Sequence, residues 1–152
     1  MTPFYAELLG RFHELHAQVE TALEPLPQEA LDWIPGPDMN SASVLIVHLT
    51  GAERFLVGDL VMGDPSNRDR EAEFAASGWE KDDLLLRLKQ TESYLAQAFE
   101  KLTLAELETT RLHPRHGRQV SVTWALTHAL EHVALHLGHL QFTSQLWQLS
   151  HS

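Results

Sequence analysis

The side chains best suited to chemistry in this chain are its ten histidines. Four of them, His128, His132, His136 and His139, follow one another at intervals of four, four and three residues. An α-helix turns about 100° per residue, so these four share one stripe less than a quarter-turn wide. Apolar residues flank the stripe, which indicates the buried side of a helix. A fifth histidine, His48, lies in the middle of the apolar face of a second predicted helix.

Buried imidazoles at this spacing favour a metal site. An unpaired buried polar group costs about 1–3 kcal/mol, and each inward histidine would need a partner of its own. A divalent cation satisfies several at once, because imidazole is the commonest metal ligand and side chains at i and i+4 lie ~5–6 Å apart at Cβ. His132 and His136 form such a pair, and His48 supplies a third nitrogen. Three protein ligands leave positions for water or substrate, as in catalytic sites.

The other histidines keep more than one interpretation. His128 and His139 fit ligation, support of a ligand, or an ordinary core role. His16 lies near the apolar face of the first predicted helix and is interpreted as structural or as supporting a ligand. The four that remain are interpreted as loop or surface groups: His13, His113, His116 and His151. The pair at 113 and 116 also fits the border of a site entrance, although a surface loop is the simpler interpretation.

Composition and motifs exclude several other chemistries. The chain has no cysteine, which rules out a disulfide framework, a thiolate zinc site, an iron–sulfur cluster and a cysteine nucleophile. No His-Glu-x-x-His, P-loop or Gly-x-Ser-x-Gly motif occurs. No histidine has a glutamate three residues before it, as carboxylate-bridged di-iron bundles require. No general base is assigned, because Glu53 faces away from His48 and Asp59 lies three turns along the helix.

Charge and hydropathy restrict the partners. Eleven basic against 21 acidic side chains give a formal net charge of −10, which argues against nucleic acid and against an anionic membrane. No apolar run approaches the ~20 residues of a membrane span. The first residues lack the basic and apolar regions of a signal peptide. We therefore expect a cytoplasmic protein with a small-molecule partner.

Four segments have the helical periodicity needed to position these residues. They run from about Pro3 to Leu23, Ser41 to Val61, Lys81 to Leu102 and Ser121 to Leu149. Thr103 to Glu106 has capping-box form and predicts one short extra helix before the last one, and residues 112–120 predict a loop or a small hairpin. We predict an all-α four-helix bundle, a single domain over residues 1–152, with long connections after the second and third helices.

Two stretches carry recognisable motifs. Residues 30–55, ALDWIPGPDMNSASVLIVHLTGAERF, contain a Trp-x-Pro-x-Pro loop, a Ser-rich helix start and a His-Leu pair followed by an acidic residue. Residues 122–142, VTWALTHALEHVALHLGHLQF, form the second stretch. Together they resemble the DinB-like (YfiT-like) family, whose last helix usually reads His-x-x-x-His-x-x-His-His-x-Gly-Gln.

The resemblance implies a four-helix bundle, commonly a homodimer, with a three-histidine site for nickel or zinc. Carried over by position, its ligands are His48, His132 and His136. Characterised members include thiol S-transferases and isomerases that use low-molecular-weight thiols. Leu135 stands where many members have a further histidine, and His139 where many have glutamine. The substrate of any one relative therefore does not transfer to this chain.

Three hypotheses follow for function. The first is a metal-dependent transferase or hydrolase with an open three-histidine site, whose thiol would come from a low-molecular-weight cosubstrate because the chain has no cysteine. The second is a non-catalytic, metal-binding stress-response bundle, and the third is a helical interaction module with an incidental histidine cluster. The last helix is apolar over about 240° of its circumference, more than a surface helix needs, which predicts a homodimer interface.

Overall fold

The hydrophobic periodicity places the four long helices correctly, as a computed structural model of residues 1–152 shows. The helices are α1 (Pro3–Leu23), α2 (Ala42–Glu53), α3 (Arg70–Phe74), α4 (Lys81–Lys101) and α5 (Val122–Ser150). The short α3 was not predicted, and it lies in the long connection between α2 and α4. Because the remaining elements are short, the fold is all-α, as expected.

Serine caps set the start of the two helices that carry the histidines. The Ser41 hydroxyl accepts a 3.1 Å hydrogen bond from the backbone N–H of Val44, and Ser121 accepts one of 2.9 Å from Trp124. The helix predicted to reach residue 61 does continue past α2, but as a π-helical segment, Arg54–Met62. Gly63 ends it with a φ of 67°, in the left-handed region that glycine tolerates.

Two smaller predictions concern the connection between α4 and α5. The capping box at Thr103 is present and opens a single 3₁₀ turn, Leu104–Glu108. The stretch predicted as a loop or small hairpin is a hairpin, whose strands β1 (Thr110–His113) and β2 (Arg118–Ser121) pair antiparallel. The hairpin packs against α5 and against the π-helical segment.

The four long helices pack around two apolar clusters. One centres on the aromatic pair Phe12 and Phe99, and the other on Ile46 and Leu140. α5 lies against both α1 and α2, and the contact with α2 brings the two histidine-bearing faces together. None of the helices combines the length and apolar character needed to cross a bilayer.

Candidate metal centre

The packing of α2 on α5 brings His48, His132 and His136 together. One ring nitrogen from each lies within 4.8 Å of the corresponding nitrogens of the other two. The ring centroids of His48 lie 4.8 Å from His132 and 4.7 Å from His136, and the last two are 4.4 Å apart. His48 is buried and the other two are half-buried. Three imidazoles from two helices therefore converge on one point.

The chemistry of these rings fits a divalent cation. Nδ1 of His132 is buried without a hydrogen-bond partner, which is rare for a native polar group. Burial, helped by the neighbouring imidazoles, lowers the pKa of His132 to about 3 and that of His136 to about 4. Both rings are therefore neutral near pH 7, and their lone pairs are free for a metal. Three imidazoles form a donor set that suits a divalent transition metal.

Glu73, which the sequence analysis missed, orients the ring of His48. Its carboxylate accepts a 3.0 Å hydrogen bond from Nδ1 of His48, leaving Nε2 as the nitrogen available to a metal. Arg68 donates two further bonds to the same carboxylate, of 2.7 Å and 2.8 Å. Burial alone would raise the pKa of Glu73, but the hydrogen bonds from Arg68 and His48 outweigh it and lower the pKa. Glu73 is therefore ionised at neutral pH.

Glu73 reaches α2 because residue 51 is a glycine. A Cβ atom at Gly51 would overlap the Glu73 carboxylate. The helix that carries Glu73 is capped by Asp69, whose side chain accepts a 3.0 Å bond from the backbone N–H of Ala72. An aspartate followed by acidic residues in the first turn is a helix-start signal, and it was the feature of the sequence that could have revealed α3.

A cleft of about 510 Å³ opens beside the metal centre. His48 and His132 line one part of it, and the hairpin turn lines another. His113, expected at the surface, is instead buried, because its ring packs 5.6 Å from Phe55 and 5.9 Å from Trp124. The surface interpretation was wrong for this residue, and the alternative, that the loop borders a site entrance, describes its place in the structure.

His128 and His139, the other two histidines of the α5 stripe, lie outside the group of three. His128 is half-buried and stacks on Trp124 at 4.7 Å, with its ring 6.1 Å from that of His132. His139 is exposed, and its Nδ1 lies 3.3 Å from Nδ1 of His136. The structure therefore separates these two from the three convergent rings.

His16 belongs to a separate buried network. Its Nε2 lies 2.7 Å from a carboxylate oxygen of Glu53 and its Nδ1 lies 3.0 Å from one of Glu92. Burial alone would lower the pKa of His16, but the two carboxylates outweigh it and raise the pKa. Because both ring nitrogens face carboxylate oxygens, the geometry favours a charged ring, which joins α1, α2 and α4. Burial raises the pKa of Glu53, and the interaction with His16 opposes that rise. Glu53 faces away from His48, as expected.

Asp59 lines the cleft on the side of α2. Its carboxylate accepts a 3.3 Å hydrogen bond from Arg54 and a 3.1 Å bond from the backbone N–H of Ser66. These partners already occupy the carboxylate, so the structure gives it no role as a base at the metal centre.

Comparison with known families identifies the family to which this fold belongs. Residues 11–140 match the DinB superfamily. Because the match spans most of the sequence, the chain belongs to that superfamily. No protein among the curated sequences matches it.

Three solved structures share the fold. A conserved protein from Enterococcus faecalis superposes with a TM-score of 0.80 at 14% identity, over 96% of this chain and 98% of its own. YfiT from Bacillus subtilis, described as a probable metal-dependent hydrolase with an unusual four-helix bundle topology, gives 0.75 at 16% identity, over 95% and 89%. The DinB-like protein YjoA from Bacillus subtilis gives 0.71 at 18% identity, over 96% and 93%. At these identities the likeness confirms the bundle.

Proposed function

We propose that the protein is a metal-dependent enzyme for a small-molecule substrate, in which His48, His132 and His136 hold one zinc or nickel ion. The observation that carries this proposal is the convergence of the three imidazoles, one of which has a buried and unpartnered Nδ1. The description of YfiT as a probable metal-dependent hydrolase supports the same class of function.

The residues of the chain prepare the site in a defined way. Glu73 fixes the tautomer of His48, and Arg68 keeps Glu73 charged by holding its carboxylate. His132 and His136 stay neutral at physiological pH, so protons do not compete for their ring nitrogens. A divalent ion bound there would supply Lewis acidity toward an oxygen or sulfur atom of the substrate.

The cleft favours catalysis over metal binding alone. Its volume of about 510 Å³ falls in the range of ~300–1,000 Å³ that small-molecule sites occupy. A non-catalytic metal-binding bundle would need no such space next to the ligands. Asp59 is already paired, and the cleft is also lined by His113, His116 and His128, which carry the side chain most often used for proton transfer.

We extend the proposal to two reaction types, hydrolysis and thiol S-transfer. The chain has no cysteine, so the sulfur of an S-transfer must come from a low-molecular-weight thiol cosubstrate. Both reactions need the same open site. The choice between them is therefore a question for substrate assays, in which the two reactions call for different cosubstrates.

We also propose that the protein is a homodimer that pairs through α5. Leu135, Phe142 and Leu149 are exposed to 55%, 58% and 77%, and their spacing of seven residues places them on one face. Exposed apolar residues arranged in this way are typical of an interface. A cytoplasmic location stays a prediction from the sequence.

The test begins with untagged protein, so that no added histidines bind metal. We expect about one zinc or nickel ion per chain by elemental analysis, lost in His48→Ala and His132→Ala and retained in His13→Ala, which removes an exposed histidine of α1. Turnover of ester or amide substrates, or of an electrophile plus a thiol, should stop on chelation and return with the ion. Metal-replete protein without turnover of any of these would contradict the proposal.

A further inference from the structure

The cleft beside the metal centre has a charge opposite to that of the molecule. The chain has a formal net charge of −10, yet the cleft is lined by three arginines, Arg68, Arg70 and Arg115, and by one carboxylate, Asp59. The three arginines come from α3, from the residues just before it and from the hairpin turn. This local reversal of charge calls for an explanation.

Two of these arginines have no counter-charge in the protein. Arg68 is held by Glu73, and Asp59 is held by Arg54 and by a backbone N–H. The guanidinium groups of Arg70 and Arg115 make no ion pair and no hydrogen bond within the chain. Arg70 only passes over the ring of Phe74, at 4.9 Å.

These two guanidinium groups also repel each other. Both arginines line the same cleft. Burial lowers the pKa of Arg70, and the charges of Arg115 and Arg68 lower it further. An anion bound between two such cations relieves the repulsion. Guanidinium groups also match the planar, two-oxygen geometry of carboxylate and phosphate groups.

We infer that Arg70 and Arg115 bind an anionic group, of carboxylate or phosphate type, on the substrate or cosubstrate of this site. The inference rests on the proposed function, in which the reacting end of that molecule lies at the three histidines. His48 and His132 line the same cleft as the two arginines, so one small molecule can meet both. Phe55 and Leu56 line the same cleft and give it apolar surface.

The first experiment compares matched probes on metal-free, untagged protein, so that no probe binds through a metal. Benzoate and benzamide have nearly the same shape but differ in charge, and phenylphosphonate represents the phosphate type. We expect benzoate or phenylphosphonate to bind at least ~10-fold more tightly than benzamide, because charge-assisted hydrogen bonds are stronger than neutral ones. In NMR titrations, the Nε–H signals of Arg70 and Arg115 should shift. Equal affinities for the charged and neutral probes would overturn the inference.

The second experiment removes the charges one at a time. Arg70→Gln and Arg115→Gln should each weaken binding of the preferred anion by about 10-fold. Both side chains are exposed, so neither change should disturb folding. Arg118→Gln is the matched control, because it removes one positive charge from the same hairpin outside the cleft, where Arg118 lies over the ring of Trp124. Affinities of the two test variants within twofold of the control would overturn the inference.

Elemental analysis of the same variants separates this inference from the proposed function. Arg70→Gln and Arg115→Gln should keep about one metal ion per chain while losing the anion preference. Metal binding without any preference for the anionic probes would overturn the anion site alone. An anion preference in protein that binds no metal would support the anion site and would contradict the proposed metal centre.

Discussion

Nδ1 of His48 on α2 donates a 3.0 Å hydrogen bond to the carboxylate of Glu73 on α3. This bond ties a five-residue helix in the long connection between α2 and α4 to a histidine of the proposed metal site. A carboxylate in this position fixes the tautomer and orientation of the ring and makes the other nitrogen a better donor. The connection is therefore long because it carries part of the site.

The first prediction concerns this carboxylate. Glu73→Gln should lower zinc affinity by about 10- to 100-fold, because the charge that makes His48 basic is lost. Competition with a chromophoric chelator measures the affinity. Glu71→Gln removes an exposed carboxylate from the same helix and should leave affinity unchanged. Equal affinities in the two variants would show that Glu73 does not support the metal.

The second prediction concerns the glycine that admits Glu73. In Gly51→Ala the new methyl group should push the carboxylate away from α2, at a cost of about 1–3 kcal/mol in stability, with zinc affinity falling as in Glu73→Gln. Urea denaturation and chelator competition measure the two effects. The control is Gly10→Ala, also within a helix, where the methyl group meets no neighbour and should stabilise by about 0.5–1 kcal/mol. If Gly51→Ala has the same stability and zinc affinity as Gly10→Ala, the close approach of the Glu73 carboxylate to Gly51 supports neither property.

The third prediction concerns the buried imidazolium of His16. Its pKa in the folded protein is raised above the ordinary value of 6.5. The stability it contributes is therefore fully present below pH 6.5 and is lost as the pH rises through the folded pKa. We expect the unfolding free energy of metal-free protein to fall as the pH rises from pH 7 to pH 9. Over that interval His132 and His136 are neutral in both states.

The same network supplies the control for that measurement. His16→Gln should be less stable than wild type by about 3–5 kcal/mol at pH 7, because Glu53 is left buried without its partner, and its stability should change little up to pH 9. His13→Gln removes an exposed histidine on the same helix and should keep the wild-type pH dependence. If the stability of the wild type stays constant or rises over this pH interval, His16 is not a charged imidazolium in the folded protein.

The fourth prediction concerns the exposed apolar face of α5. Sedimentation velocity at micromolar concentration should show a dimer for the wild type and a monomer for Phe142→Glu, because a charge would be buried in the interface. Leu112→Glu changes an equally exposed leucine of the hairpin and should remain dimeric. A monomeric wild type would rule out the proposed homodimer.

Hydrophobic periodicity and helix-capping residues predicted the four long helices, which pack against one another along their whole length. Pro3, Ser41 and Ser121 mark helix starts in the sequence, and the structure begins its helices next to them. The sequence also predicted the group of His48, His132 and His136. Residues on one face of a helix contact the element that packs against that face. The contact between α2 and α5 was the only tertiary step needed.

The parts that sequence reasoning missed depend on packing between distant segments. Glu73 lies on a helix too short to show a periodic pattern, and its role depends on the space at Gly51. The burial of His113 depends on rings from α5 and from the segment after α2, which a local sequence window does not contain. The sequence also could not predict the partners of His16, because they lie on two other helices. It did predict the place of His16 near the apolar face of α1.

X-ray absorption spectroscopy of the zinc-loaded, untagged protein tests the central claim most directly, because it reports the ligands themselves. Zinc bound by His48, His132 and His136 should show three imidazole nitrogens at about 2.0–2.1 Å and a further light ligand from solvent. His132→Ala should lose this spectrum, and Glu73→Gln should keep the same ligands at reduced affinity. A spectrum with four imidazoles would indicate a closed site, and one without imidazoles, or unchanged in His132→Ala, would contradict the account.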